Sequence, residues 1–72
     1  MRIRTIGGQE TDVAAQYCRL YRINGEPGED ITLWVYTRAG NAYCVGAYRD
    51  RDKALAAYQD YQRRIEEEDK GA

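Results

Sequence analysis

Two stretches decide the fold: Ile31-Thr32-Leu33-Trp34-Val35-Tyr36-Thr37 and Ala42-Tyr43-Cys44-Val45-Gly46-Ala47-Tyr48. Both are rich in β-branched and aromatic residues. Only Arg38-Ala39-Gly40-Asn41 separates them, a link short enough for a hairpin. Upstream, Tyr17 to Ile23 has the same character. The loop Asn24-Gly25-Glu26-Pro27-Gly28-Glu29-Asp30 that follows sets Pro27-Gly28 where a type II turn wants them. An antiparallel three-stranded meander is the expected result.

After Tyr48 the period changes. Ala54, Leu55, Tyr58, Tyr61 and Ile65 recur at helical spacing, with Asp50 or Asp52 available as N-cap, so a helix is expected from about Arg51 to Glu67. The run Glu66-Glu67-Glu68-Asp69 is ill matched to the negative end of a helix dipole, and residues 67–72 are expected to fray into an acidic tail. The first sixteen residues are less regular. Arg2-Ile3-Arg4-Thr5-Ile6 alternates and offers an extra edge strand, Gly7-Gly8 breaks it, and Thr11 to Gln16 reads either as a helical turn or as the lead-in to the next strand. The fold class is thus α+β: one domain over residues 1–72, a three-stranded antiparallel sheet packed on one C-terminal helix.

Strand side chains alternate between two faces, and one face must meet the apolar stripe of the helix. The better core set is Cys18 and Leu20, then Ile31, Leu33 and Val35, then Ala42, Cys44 and Tyr48. The opposite set is Tyr17, Arg19 and Tyr21, then Thr32, Trp34, Tyr36 and Arg38, then Tyr43, Val45 and Ala47. One helix covers one face only, so a broad aromatic surface with arginines among the rings is expected to stay open. Tyr, Trp and Arg are the residue types that concentrate at binding hot spots. The expected partner-binding residues are therefore Tyr17, Arg19, Tyr21, Trp34, Tyr36, Arg38 and Tyr43. A register slip of one residue would exchange the faces.

Composition narrows the function classes. Seventy-two residues make one small core, whose modest stability favours a partner or a second copy that covers apolar area. The net charge of -1 argues against generic polyanion binding, although residues 1–24 and 38–53 each carry +2 while residues 25–37 carry -3. The cations are arginines except Lys53 and Lys70, which suits stacking and bidentate contacts. There is no serine and no histidine, so Ser-His and Cys-His nucleophilic systems cannot be assembled, and an enzyme is not expected. Cys18 and Cys44 lack any Cys-x-x-Cys spacing; they read as small buried residues in a reducing compartment, and neither a metal nor another cofactor is expected. No apolar run approaches the roughly 20 residues that span a bilayer, and none follows Met1-Arg2-Ile3-Arg4 as in a signal peptide. A cytoplasmic protein with no membrane partner is the expectation.

Val45-Gly46-Ala47-Tyr48, a capping Asp50, and Ala54, Ala57 and Tyr58 resemble the strand-to-helix junction of AP2-type DNA-binding domains and arm-type integrase domains. The likeness spans residues 31–61. It implies a βββα fold in which Gly46 permits close approach of helix to sheet, and it implies DNA contacts through Arg19, Trp34 and Arg38. This sequence departs from that pattern where Tyr21, Tyr36 and Tyr43 stand in place of cations, and where Glu26, Glu29 and Asp30 make a loop acidic. The leading expectation is accordingly a small non-catalytic protein-binding module. By general type it looks like the inhibitors encoded by phages and mobile elements, anti-CRISPR proteins included, which dock on host nucleic-acid machinery. Nucleic-acid binding by the same face, and burial of that face in a homodimer, are the competing expectations.

Overall fold

The computed structural model describes residues 1–22 and 25–71, with side chains placed to Glu68. Ile23, the expected end of the first long strand, and Asn24, the start of its loop, lie outside the described residues, as does Ala72. The chain runs through β1 (Arg2–Arg4), β2 (Glu10–Asp12), β3 (Ala15–Tyr21), β4 (Ile31–Thr37), β5 (Ala42–Tyr48) and α1 (Arg51–Gly71). The three long strands form an antiparallel sheet in the order β3-β4-β5, and α1 packs on one side of it. The α+β class and the meander are as the residue pattern implies.

The turns follow from local chemistry. Glu29 N donates to Glu26 O across Pro27-Gly28, and Gly28 takes φ +95°, the left-handed conformation that the third position of a type II turn requires. The β4–β5 link is a Thr-x-x-Gly turn: Thr37 N donates to Asn41 O, Gly40 N donates to Thr37 O, and Asn41 N donates to Thr37 Oγ1. Thr5 to Gln9 repeats this pattern bond for bond, with Gly8 in the place of Gly40. The first turn folds the N-terminal segment back on itself, so β1 pairs with β2 as a separate two-stranded sheet. Residues 2–6 therefore add no edge strand to the main sheet. Their tip meets it through one backbone bond, Ile6 N to Cys44 O at 2.9 Å on the rim of β5.

Asp50 caps α1: its Oδ1 accepts from Asp52 N at 2.9 Å and its carbonyl accepts from Ala54 N. Ala54, Tyr58, Tyr61 and Ile65 face the sheet, where Cys18, Leu33 and Val35 are buried. Leu33 and Val35 are fully excluded from solvent, worth roughly 1.5–3 kcal/mol each. Leu55, read as part of this stripe, lies off it and is 37% exposed.

The helix does not fray at Glu67 but continues through Gly71. Its last turns are held from the side: Ile65 is buried, Arg64 stacks on Tyr61 and donates to Arg2 O at 2.9 Å, and Glu68 pairs with the Met1 amino group at 2.7 Å. These contacts tie the last turns to the N-terminal segment and the sheet, against a dipole term of about 0.3–1 kcal/mol per exposed charge.

β5 departs from the expected alternation. Leu33 lies opposite Gly46 while its neighbour Trp34 lies opposite Cys44, so Val45 is an extra residue in a β-bulge. Beyond the bulge the phase inverts. Cys44 and Ala42, expected in the core, share the open face with Trp34 and Tyr36, whereas Tyr43 is registered with Val35 on the helix side and Val45 packs against the core. Gly46 does not serve close helix approach either, because the Tyr48 ring takes its space. A Cβ at Gly46 would fall 2.5 Å from the Tyr48 hydroxyl.

Candidate functional site

The open face of the sheet holds three rows of side chains. β3 supplies Tyr17, Arg19 and Tyr21; β4 supplies Thr32, Trp34 and Tyr36; β5 supplies Ala42, Cys44 and Ala47. Tyr17 stands opposite Tyr36, and their rings stack at 4.8 Å with a 10° interplanar angle. Tyr21 tilts at 35° against the Trp34 indole, 6.0 Å away. Each such pair adds about 0.5–1.5 kcal/mol beyond its buried area.

Thr32 fixes the indole. Its Oγ1 accepts from Trp34 Nε1 at 3.0 Å and donates to Tyr21 O at 2.8 Å, which also ties β3 to β4. The only polar atom of Trp34 is thereby satisfied within the sheet, leaving the indole as an apolar plate. Arg19 is registered opposite Trp34, between the two ring pairs, and is the one charged residue of the nine. No carboxylate lies among those nine positions, and Arg19 has no ion pair among the described residues. Ala42, Cys44 and Ala47 are short, so β5 forms a low shelf beside the ridge of rings.

Five of the seven expected binding residues are thus brought together: Tyr17, Arg19, Tyr21, Trp34 and Tyr36. The other two are not. Tyr43 is carried to the helix side by the bulge at Val45. Arg38 lies past the end of β4, where its N–H donates to Ala14 O and its side chain lines a cleft with Met1, Asp12 and Glu68. Thr32 and Cys44 belong to the site as well, beyond the seven residues expected there. Thr32 carried the signal, being in the open set next to Trp34, whereas Cys44 needed the bulge to be known.

The two thiols differ accordingly. Cys18 is buried on the helix side, its Sγ 3.8 Å from Tyr58 O, and burial pushes its pKa above the ordinary thiol value. Cys44 is half-buried on the open face. Among the described residues there is no cluster of three or more His, Cys, Asp or Glu side chains, and no helix is long and apolar enough to cross a membrane. No protein-family model, curated protein or solved structure matches the chain.

Proposed function

We propose that the chain is a small, non-catalytic protein-binding module that acts as an inhibitor or adaptor in the cytoplasm, with the ring face as its docking surface. The observation that carries this reading is a sheet face with, among the described residues, four aromatic side chains, a central arginine and no carboxylate, while the helix packs on the other side of the sheet. Tyr17 and Tyr21 remain 46% and 41% exposed on the ring face, and contiguous exposed ring surface of this kind marks interaction sites. Rigid rings lose little entropy on binding, and Trp34 is already held by Thr32. By general type, small docking domains of this kind look like the inhibitors made by phages and mobile elements, such as anti-CRISPR proteins, and the proposed partner is accordingly a component of nucleic-acid machinery.

Geometry favours a protein over a nucleic acid. Tyr17 and Tyr36 spend their inner faces on each other, Trp34 spends its N–H on Thr32, and the face carries a single cation. A strand-binding platform offers open ring faces to bases and several cations to phosphates. The AP2-like and integrase-like alternative remains the reading to which a positive gel shift would move the assignment.

The test is affinity capture from candidate host lysates followed by the double variant Trp34→Ala/Tyr36→Ala. Complex formation is expected to be abolished while far-UV circular dichroism is retained, since hot-spot truncations cost about 2 kcal/mol or more each. Unchanged affinity would remove the proposal. Salt-sensitive binding to DNA or RNA at low ionic strength would replace it with the nucleic-acid reading.

A further inference from the structure

Among the described residues four large apolar side chains are conspicuously exposed, and three of them, Tyr17, Tyr21 and Leu55, border one feature: the outer edge of β3. β3 is an edge strand of the main sheet, and among the described residues no backbone group bonds to its outer side. The opposite edge, at β5, is met by Ile6. An unpaired strand edge is a row of donors and acceptors that only another extended backbone satisfies in full.

Two cavities open beneath this edge, between β3 and α1. One, of 150 Å³, has Cys18, Tyr58 and Ile65 in its wall. The other, of 490 Å³, has Leu20, Ile31 and Leu55 as apolar wall and Arg22 and Arg51 as polar lining. Cys18 and Leu20 are two positions apart on β3, about 7 Å, which is the spacing of alternate side chains on an added strand. Above the edge, Tyr17 and Tyr21 would receive the side chains of the other parity. The second cavity also has a charge preference. Neither Arg22 nor Arg51 has an ion pair among the described residues, and the Arg22 Nε is buried without a hydrogen-bond partner.

We propose that an extended segment of a partner protein adds to β3 as a fourth strand, its inward side chains apolar and an acidic side chain seated at the Arg22/Arg51 end. The inference rests on the reading of the chain as a docking module and specifies how a partner is held, since Tyr17 and Tyr21 belong to both surfaces. A second copy fits less well. Antiparallel pairing of β3 with its own copy, centred on Tyr17–Tyr21, sets Arg19 against Arg19, and like charges directly opposite are destabilising.

The probe is a displayed library of random 12-residue peptides, selected on the immobilised full chain and then titrated into ¹⁵N-labelled protein. Recovered peptides are expected to alternate apolar residues, to carry Asp or Glu near one end, and to slow exchange of alternate amide protons within Tyr17–Tyr21. Arg22→Ala/Arg51→Ala is expected to weaken them about tenfold or more. Leu55→Glu, at an exposed position that leaves the core intact, is expected to weaken them as well. Failure to recover any peptide, or peptides that leave β3 exchange unchanged, would overturn the inference. If such peptides still need Trp34 and Tyr36, the ring face stands as the docking surface and only the added strand falls. If β3 is protected by peptides indifferent to Trp34→Ala, the added strand stands and the ring face falls. A concentration-dependent dimer with β3 amides already protected would give the edge to a second copy and overturn the proposal.

Discussion

Leu33 and Trp34 are neighbours on β4 with opposite fates, and replacing each by Ala separates folding from docking. Leu33 is fully buried against the helix side, so Leu33→Ala leaves a cavity that costs about 3 kcal/mol. At roughly 0.05–0.15 kcal/mol per residue, a domain of 72 residues holds about 4–11 kcal/mol in total, so this single change removes a large part of it. With a urea m-value of about 1 kcal/mol/M for so small a chain, the unfolding midpoint is expected to fall by about 3 M. The melting temperature is expected to fall by about 12–24 °C. Trp34→Ala removes the tilted contact with Tyr21, the bond to Thr32 Oγ1 and partial burial only, a loss of about 1–2 kcal/mol. Urea titrations followed by far-UV circular dichroism, with partner affinity measured under conditions where both variants are folded, give the two readouts. Leu33→Ala is expected to be the more destabilised and to bind normally once folded; Trp34→Ala is expected to lose less stability than Leu33→Ala, to remain folded in the absence of urea and not to bind. A Trp34→Ala variant less stable than Leu33→Ala would refute the assignment of faces.

Other expectations follow from single contacts. Gly46→Ala drives the Tyr48 ring out of its place and is expected to cost about 1–3 kcal/mol in a denaturation assay; a loss under half a kcal/mol would mean the ring is free to move aside. In the native chain Cys44 is expected to be alkylated by iodoacetamide well before the buried Cys18, and a bound partner is expected to slow the Cys44 reaction, as peptide mass mapping would show. The Met1 amino group is raised above its ordinary value of 8.0, first by its hydrogen bond to Glu68 and then by Asp12. A folded-state value above the unfolded one means the contribution is complete below pH 8.0 and is lost as pH rises through the raised value. Stability measured from pH 7 to 9.5 is therefore expected to decline in the parent, and Glu68→Gln is expected to flatten that slope.

Much of the fold was legible because two periods are cleanly separated: alternation from Tyr17 to Tyr48, and three-and-four spacing from Ala54 to Ile65. The phase of β3 and β4 followed from alternation alone, which placed Leu33 and Val35 inward and Trp34 and Tyr36 outward, as the register shows. β5 was legible only in part. A bulge adds one residue without any residue type that demands it, and Val45 in a run of small and β-branched neighbours gives no warning, so strict alternation places Tyr43 and Cys44 on each other's faces. The N-terminal hairpin had a signal in plain view, since Thr5-Ile6-Gly7-Gly8-Gln9 and Thr37-Arg38-Ala39-Gly40-Asn41 close by the same three bonds. What hid it was the shortness of β1 and β2, three residues each, too few for alternation to register. The persistence of α1 past Glu67 was invisible for a different reason. It depends on Met1 and Arg2, far away in the chain, meeting Glu68 and Arg64 in space.

Trp34 is the only tryptophan, which makes acrylamide quenching of its fluorescence in the isolated chain the most direct test that the ring face is open. Native protein is expected to quench at a substantial fraction of the rate seen in the urea-unfolded chain, and a bound partner is expected to suppress that quenching. Quenching in the free protein as slow as that of a fully enclosed indole would put Trp34 under cover and leave the docking surface without its central residue.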